Sequence, residues 1–417
     1  MTKPEEDREP LGVFAGFGIE IEYMIVDRES LDVRPVVDHL LEAVAGSATS
    51  QVERGEAAWS NELALHVIEF KTNGPSPQLD GLADLFTDQV KEANRVLSAL
   101  GCCLLPTGMH PWMDPQAEVR LWPHENDVIY RTFDRIFGCK GHGWGNLQSI
   151  HVNLPFSNDA EFGRLHAAIR MALPLFPGLA ASTPIADGRR QTKLDYRLDV
   201  YRDNARAIPS VTGRVVPEPV YTRAEYEDGL LAGIYRDLKP HDPEGVLRHE
   251  WVNARGCIAR FDRMAIEIRI LDTQEAAQTD LAVVQAVVSA VRSLYEEHTC
   301  GAQMQKQWDG AALVAVLDQA ITRGDDAVID QRRYLDALGY PDPGRAKLRD
   351  VWLYLKESFV KPEAGPADSF WRAYERSGCL ANRVLQSLGG RPAREELRTT
   401  YRELAIGLPA NRVFDPS

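Results

Sequence analysis

Glutamates occupy the polar face of a β-strand near the start of the chain. In residues 17–27 (FGIEIEYMIVD), apolar side chains stand at the odd-numbered positions up to 25, which is the two-residue period of a strand. Side chains alternate between the two faces of a strand, so Glu20 and Glu22 share the other face, roughly 7 Å apart. A solvated edge strand shows the same pattern, so this segment alone does not indicate a functional site.

The same separation of polar and apolar side chains recurs later in the chain. Strands predicted at 149–156 and 265–271 each have one apolar face, and an apolar run at 63–70 encloses a carboxylate. Together with the first strand, these segments offer Glu20, Glu22, Glu62, Glu69, His151, Asn153, Glu267 and Arg269. If the strands form one sheet, the carboxylates converge, and their mutual repulsion requires cations. Oxygen ligands with one imidazole suit Mg²⁺ or Mn²⁺ better than Zn²⁺.

The charge of the chain limits its partners. The 417 residues include 47 Lys and Arg against 61 Asp and Glu, a formal net charge of −14. This excess argues against nucleic acid and anionic membranes as partners, although metal ions could still bring an anionic substrate to the carboxylates. No apolar run of about 18 residues and no signal peptide are seen, and the six cysteines include no Cys-x-x-Cys pair. We therefore expect a cytoplasmic protein with reduced thiols.

The order of the predicted elements favours an α+β fold with an antiparallel sheet. Strands and helices interleave without a regular strand–helix–strand period up to about residue 299. Residues 1–12 are polar and are predicted to form a disordered arm. Residues 300–417 are predicted to be almost wholly helical.

Six motifs, in order along the chain, resemble those of the glutamate–cysteine ligase type 2 (carboxylate–amine ligase) family. They are GIEIEYMIVD (18–27), NELALHVIEFKTN (61–73), PTGMHPW (106–112), QSIHVNLPF (148–156), ASTPIADGR (181–189) and WVNARGCIARFDRMAIEIRILD (251–272). The resemblance implies a glutamine-synthetase/guanidino-kinase-like catalytic fold, in which an antiparallel sheet curves into a funnel flanked by helices. It assigns residues 13–299 to a catalytic ligase domain. The helical residues 300–417 then form a C-terminal extension packed on it.

The resemblance also implies roles for individual residues. The metal-ligand positions fall on Glu20, Glu22, Glu62, Glu69, His151 and Glu267. Arg269 takes the position that contacts the γ-phosphate of ATP, and Arg255 and Arg197 match two further catalytic arginines. Weaker candidates for binding substrate or ATP are Asn153, Tyr196, Gly141 and Gly143, the two glycines lying in a segment that either closes over the site or forms a surface loop. Many family members carry a glutamate where Ile21 stands, and the segment after Gly188 departs from the family pattern.

The implied reaction is ATP-dependent amide-bond formation with Mg²⁺, or alternatively Mn²⁺, as cofactor. ATP phosphorylates a substrate carboxylate, expected to be the γ-carboxylate of glutamate, and an amine then attacks the acyl phosphate. The sequence leaves the amine open between cysteine, another amino acid and a peptide, and it is compatible with a homo-oligomer. A guanidino-kinase-type phosphotransferase on the same sheet is the alternative. A non-catalytic binding protein is disfavoured, since all the carboxylates are present.

Overall fold

Residues 10–342, 344–360 and 366–416 are described by the computed structural model. The predicted polar arm, residues 1–12, therefore lies mostly outside the described residues. In the described part of the chain, no helix combines the length and apolar character needed to cross a bilayer.

The strands lie mainly in the first two thirds of the chain. In chain order they are β1 (Gly18–Asp27), β2 (Gln51–Arg54), β3 (Ala57–Asn61), β4 (Val67–Thr72), β5 (Cys102–Leu105), β6 (Ser149–Pro155), β7 (Ile185–Ala186), β8 (Arg189–Arg190), β9 (Cys257–Arg260), β10 (Ala265–Asp272), β11 (Val328–Ile329) and β12 (Ala346–Lys347).

Helices fill the intervals and make up most of the end of the chain. They are α1 (Val37–Ala45), α2 (Leu82–Leu97), α3 (Pro115–Glu118), α4 (Asp127–Phe137), α5 (His142–Gly145), α6 (Asp159–Ala172), α7 (Phe176–Ala180), α8 (Tyr196–Tyr201), α9 (Ala232–Leu238), α10 (Ala277–Tyr295), α11 (Ala302–Lys306), α12 (Gly310–Arg323), α13 (Arg332–Ala337), α14 (Leu348–Phe359), α15 (Pro366–Ser377), α16 (Leu380–Ser387) and α17 (Arg394–Gly407). A π-helical stretch, Glu225–Leu231, leads into α9.

Antiparallel pairing joins eight strands into one sheet with β1 near its centre. The order is β2-β3-β4-β1-β6-β10-β9, and β5 pairs with the second half of β1. β1 pairs with three strands because its ten residues are long enough to reach β6 at one end, β5 at the other and β4 in between. The α+β class with an antiparallel sheet flanked by helices is confirmed.

One face of the sheet forms the main apolar core. Ile19, Ile21 and Tyr23 of β1 are fully buried on this face, where they pack in one hydrophobic cluster with residues of α2 and α10. The Tyr23 hydroxyl donates a hydrogen bond of 2.7 Å to Oδ2 of Asp280 in α10. Packing on this side leaves the even-numbered side chains of β1 on the other face.

Part of the helical end of the chain packs against even-numbered side chains at the end of β1. Leu380, Leu397 and Tyr401 join Met24 of β1 and Leu105 of β5 in a second hydrophobic cluster. The buried guanidinium of Arg383 pairs with the carboxylate of Glu275, which precedes α10. These contacts agree with an extension packed on the sheet domain, and the predicted division at residues 299/300 stays a prediction.

Candidate active site

The register of the sheet places acidic and basic side chains directly beside one another. Glu20 stands opposite Lys71 of β4 and His151 of β6, and Glu22 stands opposite Glu69 of β4. Directly paired residues of antiparallel strands point to the same face of a sheet. The face that the alternation of β1 predicts to be polar is therefore polar across at least three neighbouring strands.

Hydrogen bonds fix the carboxylates of β1 against β6. Nδ1 of His151 lies 2.9 Å from Oε2 of Glu20, and Nδ2 of Asn153 donates to Oε1 of Glu20 at 3.2 Å. Oε2 of Glu22 accepts from the backbone N–H of Ser149 at 2.7 Å and from its hydroxyl at 3.2 Å. Both carboxylates are thus oriented by β6.

Glu69 joins the cluster from the other side of β1. Its Oε1 accepts a hydrogen bond of 2.6 Å from the hydroxyl of Ser60, and Nζ of Lys71 lies 3.0 Å from the same oxygen. Glu62 follows β3 and reaches the same region. Burial raises the pKa of Glu62 well above its usual range, and the charges of Glu22 and Glu69 add to this shift. A cation bound nearby would favour the ionised form of this carboxylate.

Two groups of three side chains bring their ligand atoms within 4.8 Å of one another. The His151 group comprises Glu20, Glu69 and His151, and the Glu22 group comprises Glu22, Glu62 and Glu69. Glu69 is common to both. Carboxylate oxygens with one imidazole are the donor set of hard divalent cations, so these residues fit Mg²⁺ or Mn²⁺.

Glu267 lies next to the His151 group but outside it. Its Oε1 is 3.9 Å from Nδ1 of His151 and 3.0 Å from Nε of Arg269, while its Oε2 is 3.4 Å from Nη1 of Arg260. Burial raises the pKa of Glu267, but the charges of Arg269, His151 and Arg260 outweigh it and leave the pKa lowered. In this arrangement the carboxylate already has two arginine partners besides His151.

Arg269 extends from β10 beside the acidic cluster. Besides its ion pair with Glu267, its Nη1 donates to the backbone oxygen of Asn253 at 3.0 Å. Its side chain is 23% exposed. The guanidinium therefore lies at the border of the buried carboxylates, where it can also reach a ligand.

Arg255 and Arg197 are paired with carboxylates outside the two groups. Arg255 holds Glu218 with two hydrogen bonds of 2.5 and 2.7 Å. Arg197 forms a buried ion pair with Asp272 through Nε, while its buried Nη2 has no partner among the described residues. A side chain on Gly108 of the PTGMHPW motif would clash with this pair, 2.9 Å from Asp272 and 3.1 Å from Arg197. The catalytic roles of Arg255 and Arg197 stay predictions.

In the glycine-rich segment, Gly143 is closely packed, whereas a side chain on Gly141 would meet nothing within 4 Å. The segment forms the short helix α5, and a side chain on Gly143 would meet the backbone oxygen of Val200 at 2.8 Å. The ring of His142 lies edge-on to Tyr196, with 6.3 Å between the centroids. The structure thus brings Gly141, Gly143 and Tyr196 into one neighbourhood, and their role in binding stays a prediction.

Sequence reasoning missed Ser60, Lys71 and Arg260 as members of this site. Lys71 shares the face of Glu69 by parity, so extending the alternation of that strand by two residues would have identified it. Arg260 reaches this face because it pairs opposite Ala265, and that register is visible only in the structure. Ser60 lies on β3, a strand that the sequence analysis did not predict.

Comparison with known proteins agrees with this geometry. The family model described as glutamate-cysteine ligase family 2 matches residues 16–333. An uncharacterized protein of Archaeoglobus fulgidus is 35% identical over 280 residues, covering 67% of this chain and 75% of that protein. A Bradyrhizobium protein (strain BTAi1) named "Putative glutamate--cysteine ligase 2" is 27% identical over 283 residues, covering 67% of this chain and 62% of the relative.

Solved structures show the same fold at low sequence identity. Glutamate–cysteine ligase from Francisella tularensis in complex with AMP matches with a TM-score of 0.59 and 12% identity, covering 94% of this chain and 88% of that one. A bifunctional glutathione synthetase from Pasteurella multocida matches with a TM-score of 0.50 and 14% identity, covering 95% of this chain and 52% of that one. With the family match extending over residues 16–333, the chain belongs to glutamate-cysteine ligase family 2, a family of ligases.

Proposed function

We propose that this chain is an ATP-dependent carboxylate–amine ligase that forms an amide bond through an acyl phosphate. The acid is the γ-carboxylate of glutamate, and the amine belongs to an amino acid such as cysteine or to a peptide. The observation that carries the proposal is the pair of three-residue ligand groups sharing Glu69, with the guanidinium of Arg269 beside them. Family membership supports the reaction class.

The acidic face offers positions for divalent cations. Glu20, Glu69 and His151 would hold one ion, and Glu22, Glu62 and Glu69 a second. When bound, Mg²⁺ supplies charge neutralisation to the phosphate oxygens of a nucleotide. This donor set also explains how a chain of net charge −14 could accept a polyanionic substrate.

The protein's own side chains contribute orientation and charge. Ser149 and Asn153 hold Glu22 and Glu20 in fixed positions, so the carboxylates need not reorganise when a ligand arrives. Arg269 supplies a permanent positive charge for a phosphoryl group in transfer. In the first step an oxygen of the acid bonds to the γ-phosphorus of ATP while the bond to ADP breaks. In the second step the amine nitrogen bonds to the carbonyl carbon, the carbon–oxygen bond to phosphate breaks, and the nitrogen loses a proton, which leaves the amide, phosphate and ADP.

Burial of the site favours the second step over hydrolysis. Glu22, Glu69, His151 and Glu267 each expose less than a tenth of their surface. An acyl phosphate formed at such a surface has little access to bulk water, which would otherwise hydrolyse it. An amine bound in the site is then the nucleophile that reacts.

A product assay with matched variants tests the proposal. The protein is incubated with ATP, Mg²⁺, glutamate and a panel of amines, and products are measured by mass spectrometry. We expect ADP and an amide product that depend on both acid and amine. E20Q and E267Q should lower turnover by at least about a hundredfold through loss of transition-state charge stabilisation, whereas E395Q, on the exposed face of α17, should retain it.

The same assay separates the two reaction classes. ADP formed without an amine, together with a stable phosphorylated acceptor, would favour the guanidino-kinase-type phosphotransferase. Turnover at the wild-type level in both E20Q and E267Q would refute the assignment of the acidic face as the active site.

A further inference from the structure

We propose that Lys71 is a built-in cation that competes with divalent metal ions for Glu69 and thereby sets the metal affinity of the site. The inference rests on the proposed function, since it concerns the same acidic face. It assigns to Lys71 the role of a positioning residue that acts through Glu69.

The contact that carries this inference lies at the centre of the cluster. Nζ of Lys71 is 3.0 Å from Oε1 of Glu69 and 2.8 Å from the hydroxyl of Ser60. Glu69 is the one residue common to the His151 group and the Glu22 group. An ammonium on this carboxylate therefore affects both candidate metal positions at once.

The other basic side chains nearby have carboxylate partners of their own. Arg269 and Arg260 pair with Glu267, and Arg197 pairs with Asp272. Among the residues that the structure describes, Lys71 is the only lysine or arginine that forms an ion pair with a member of either group. No second lysine or arginine in the described part of the chain therefore shares this competition.

Competition follows from charge and from the lone pairs of Glu69. A metal ion at either group needs an oxygen of Glu69, and the ammonium already occupies Oε1. If the ammonium of Lys71 stays in place, it repels the divalent cation at short range. If it moves away, its ion pair with Glu69 is lost. In both cases metal binding is weaker than it would be without Lys71.

Because Ser60 also holds the carboxylate of Glu69, Lys71 can be replaced while the orientation of Glu69 is kept. The hydroxyl of Ser60 accepts a hydrogen bond from Nζ of Lys71, but it also donates its own hydrogen bond of 2.6 Å to Oε1 of Glu69. Replacing Lys71 by methionine keeps a side chain of similar length and removes the charge, while Glu69 retains a hydrogen bond that holds its orientation. The variant therefore changes the charge at the site more than its geometry.

The test measures Mn²⁺ binding to the full chain without nucleotide, by the loss of the free Mn²⁺ signal in electron paramagnetic resonance. We expect K71M to bind Mn²⁺ about two- to fivefold more tightly than wild type, the range expected for removing a partly exposed ion pair. K71R keeps the charge and should bind no more tightly than wild type. K91M is the matched control, because Lys91 pairs with Asp88 on the exposed face of α2.

A second readout shows that K71M is folded. Because Mn²⁺ binds the native state, it should raise the melting temperature, and by more in K71M than in wild type at the same Mn²⁺ concentration. Equal or weaker Mn²⁺ binding by K71M would overturn the role of Lys71 while leaving the metal site in place. Absence of Mn²⁺ binding by wild type and variants alike would instead contradict the metal site, and with it both this inference and the proposed function.

Discussion

Burial, together with two backbone N–H donors of its own loop, favours the neutral form of His110. Nε2 lies 2.7 Å from the backbone oxygen of Leu31, and Nδ1 accepts from the backbone N–H groups of Trp112 and Met113 at 3.2 and 3.0 Å. Burial lowers the pKa of His110 to about 4, although the bond to Leu31 opposes this shift. Two acceptor contacts at Nδ1 leave no room for a second proton. A metal-ligand role for this histidine is therefore disfavoured.

This histidine should make the fold sensitive to acid. The pKa of His110 in the folded chain lies below its unfolded value of about 6.5. Between these two values the histidine is protonated in the unfolded chain and neutral in the folded chain. The stabilising contribution of neutral His110 is full above about pH 6.5 and falls by about 1.4 kcal/mol per pH unit as the pH drops toward 4. In urea unfolding at pH 4.5, 5.5 and 6.5, H110Q should have a lower free energy of unfolding than wild type at pH 6.5. As the pH falls, that free energy should decrease less steeply in H110Q than in wild type.

The control for this prediction is an exposed histidine. His124 pairs with Asp38 at the surface, so H124Q should lose stability with the wild-type slope over the same pH range. Other buried histidines, His66 and His166, also have pKa values lowered by burial and contribute to the wild-type slope. A wild-type slope in H110Q would show that His110 does not contribute to the acid sensitivity.

At the scale of elements, a buried hydrogen bond between Tyr23 and Asp280 connects β1 to α10 within the apolar core. Tyr23 donates to Oδ2 of Asp280, whose Oδ1 accepts from the backbone N–H of Gln274 at 2.7 Å. Both side chains are buried. Y23F leaves an acceptor of Asp280 without its donor, which should lower the free energy of unfolding by about 1–3 kcal/mol.

Urea denaturation at neutral pH measures this cost. Y340F is the control, because Tyr340 is half-buried and makes an edge-on ring contact with Tyr354, so its loss should change stability by less than about 0.5 kcal/mol. The variant Y23F/D280N should recover part of the loss if the contact itself is responsible. Equal stability of Y23F and wild type would show that this contact does not stabilise the fold.

Strands with one face that is apolar along their whole length could be predicted from the sequence. Glu20, Glu22 and His151 could be placed on one face because Ile19, Ile21 and their counterparts on β6 define the other. The hairpin of β2 and β3 was missed, since β3 is short and Ala57 to Ser60 are buried on both faces. Period-based reasoning has no signal for such a strand.

Pairings that depend on distant segments were also outside what the sequence could show. Arg197 meets Asp272 across 75 positions of the chain, and Arg255 meets Glu218 across 37. Alternation within a strand places a residue on a face, but it does not indicate which helix or loop covers that face. The arginine partners therefore became visible only in the folded chain.

At the scale of the whole molecule, one buried ion pair connects the helical end of the chain to the sheet domain. Nη1 of Arg383 in α16 donates to Oε1 of Glu275 at 2.5 Å and to the backbone oxygen of Phe414 at 2.6 Å. The backbone N–H of Phe414 donates to the same carboxylate oxygen at 3.2 Å. Because Glu275 immediately precedes α10, the pair links three parts of the chain beneath the second hydrophobic cluster.

Breaking this pair from one side should destabilise the whole molecule. R383M removes the cation and leaves the carboxylate of Glu275 buried without its partner, which typically costs about 3–5 kcal/mol. Removing the charge from both sides, in E275Q/R383M, should cost less than R383M alone, because no unpaired charge is then left in the interior. The free energies of unfolding of wild type, the two single variants and the double variant give the coupling energy directly.

The same series tests whether the extension folds together with the sheet domain. If residues 300–417 pack on it as one unit, tryptophan fluorescence and far-ultraviolet circular dichroism should report one coincident transition in every variant that folds. R398M is the surface control, because Arg398 and Glu395 form a solvent-screened pair on α17 whose loss should change stability little. Two separated transitions in wild type would show that the extension is an independent unit. A cost for R383M no larger than that for R398M would show that the Arg383–Glu275 pair does not join the two parts.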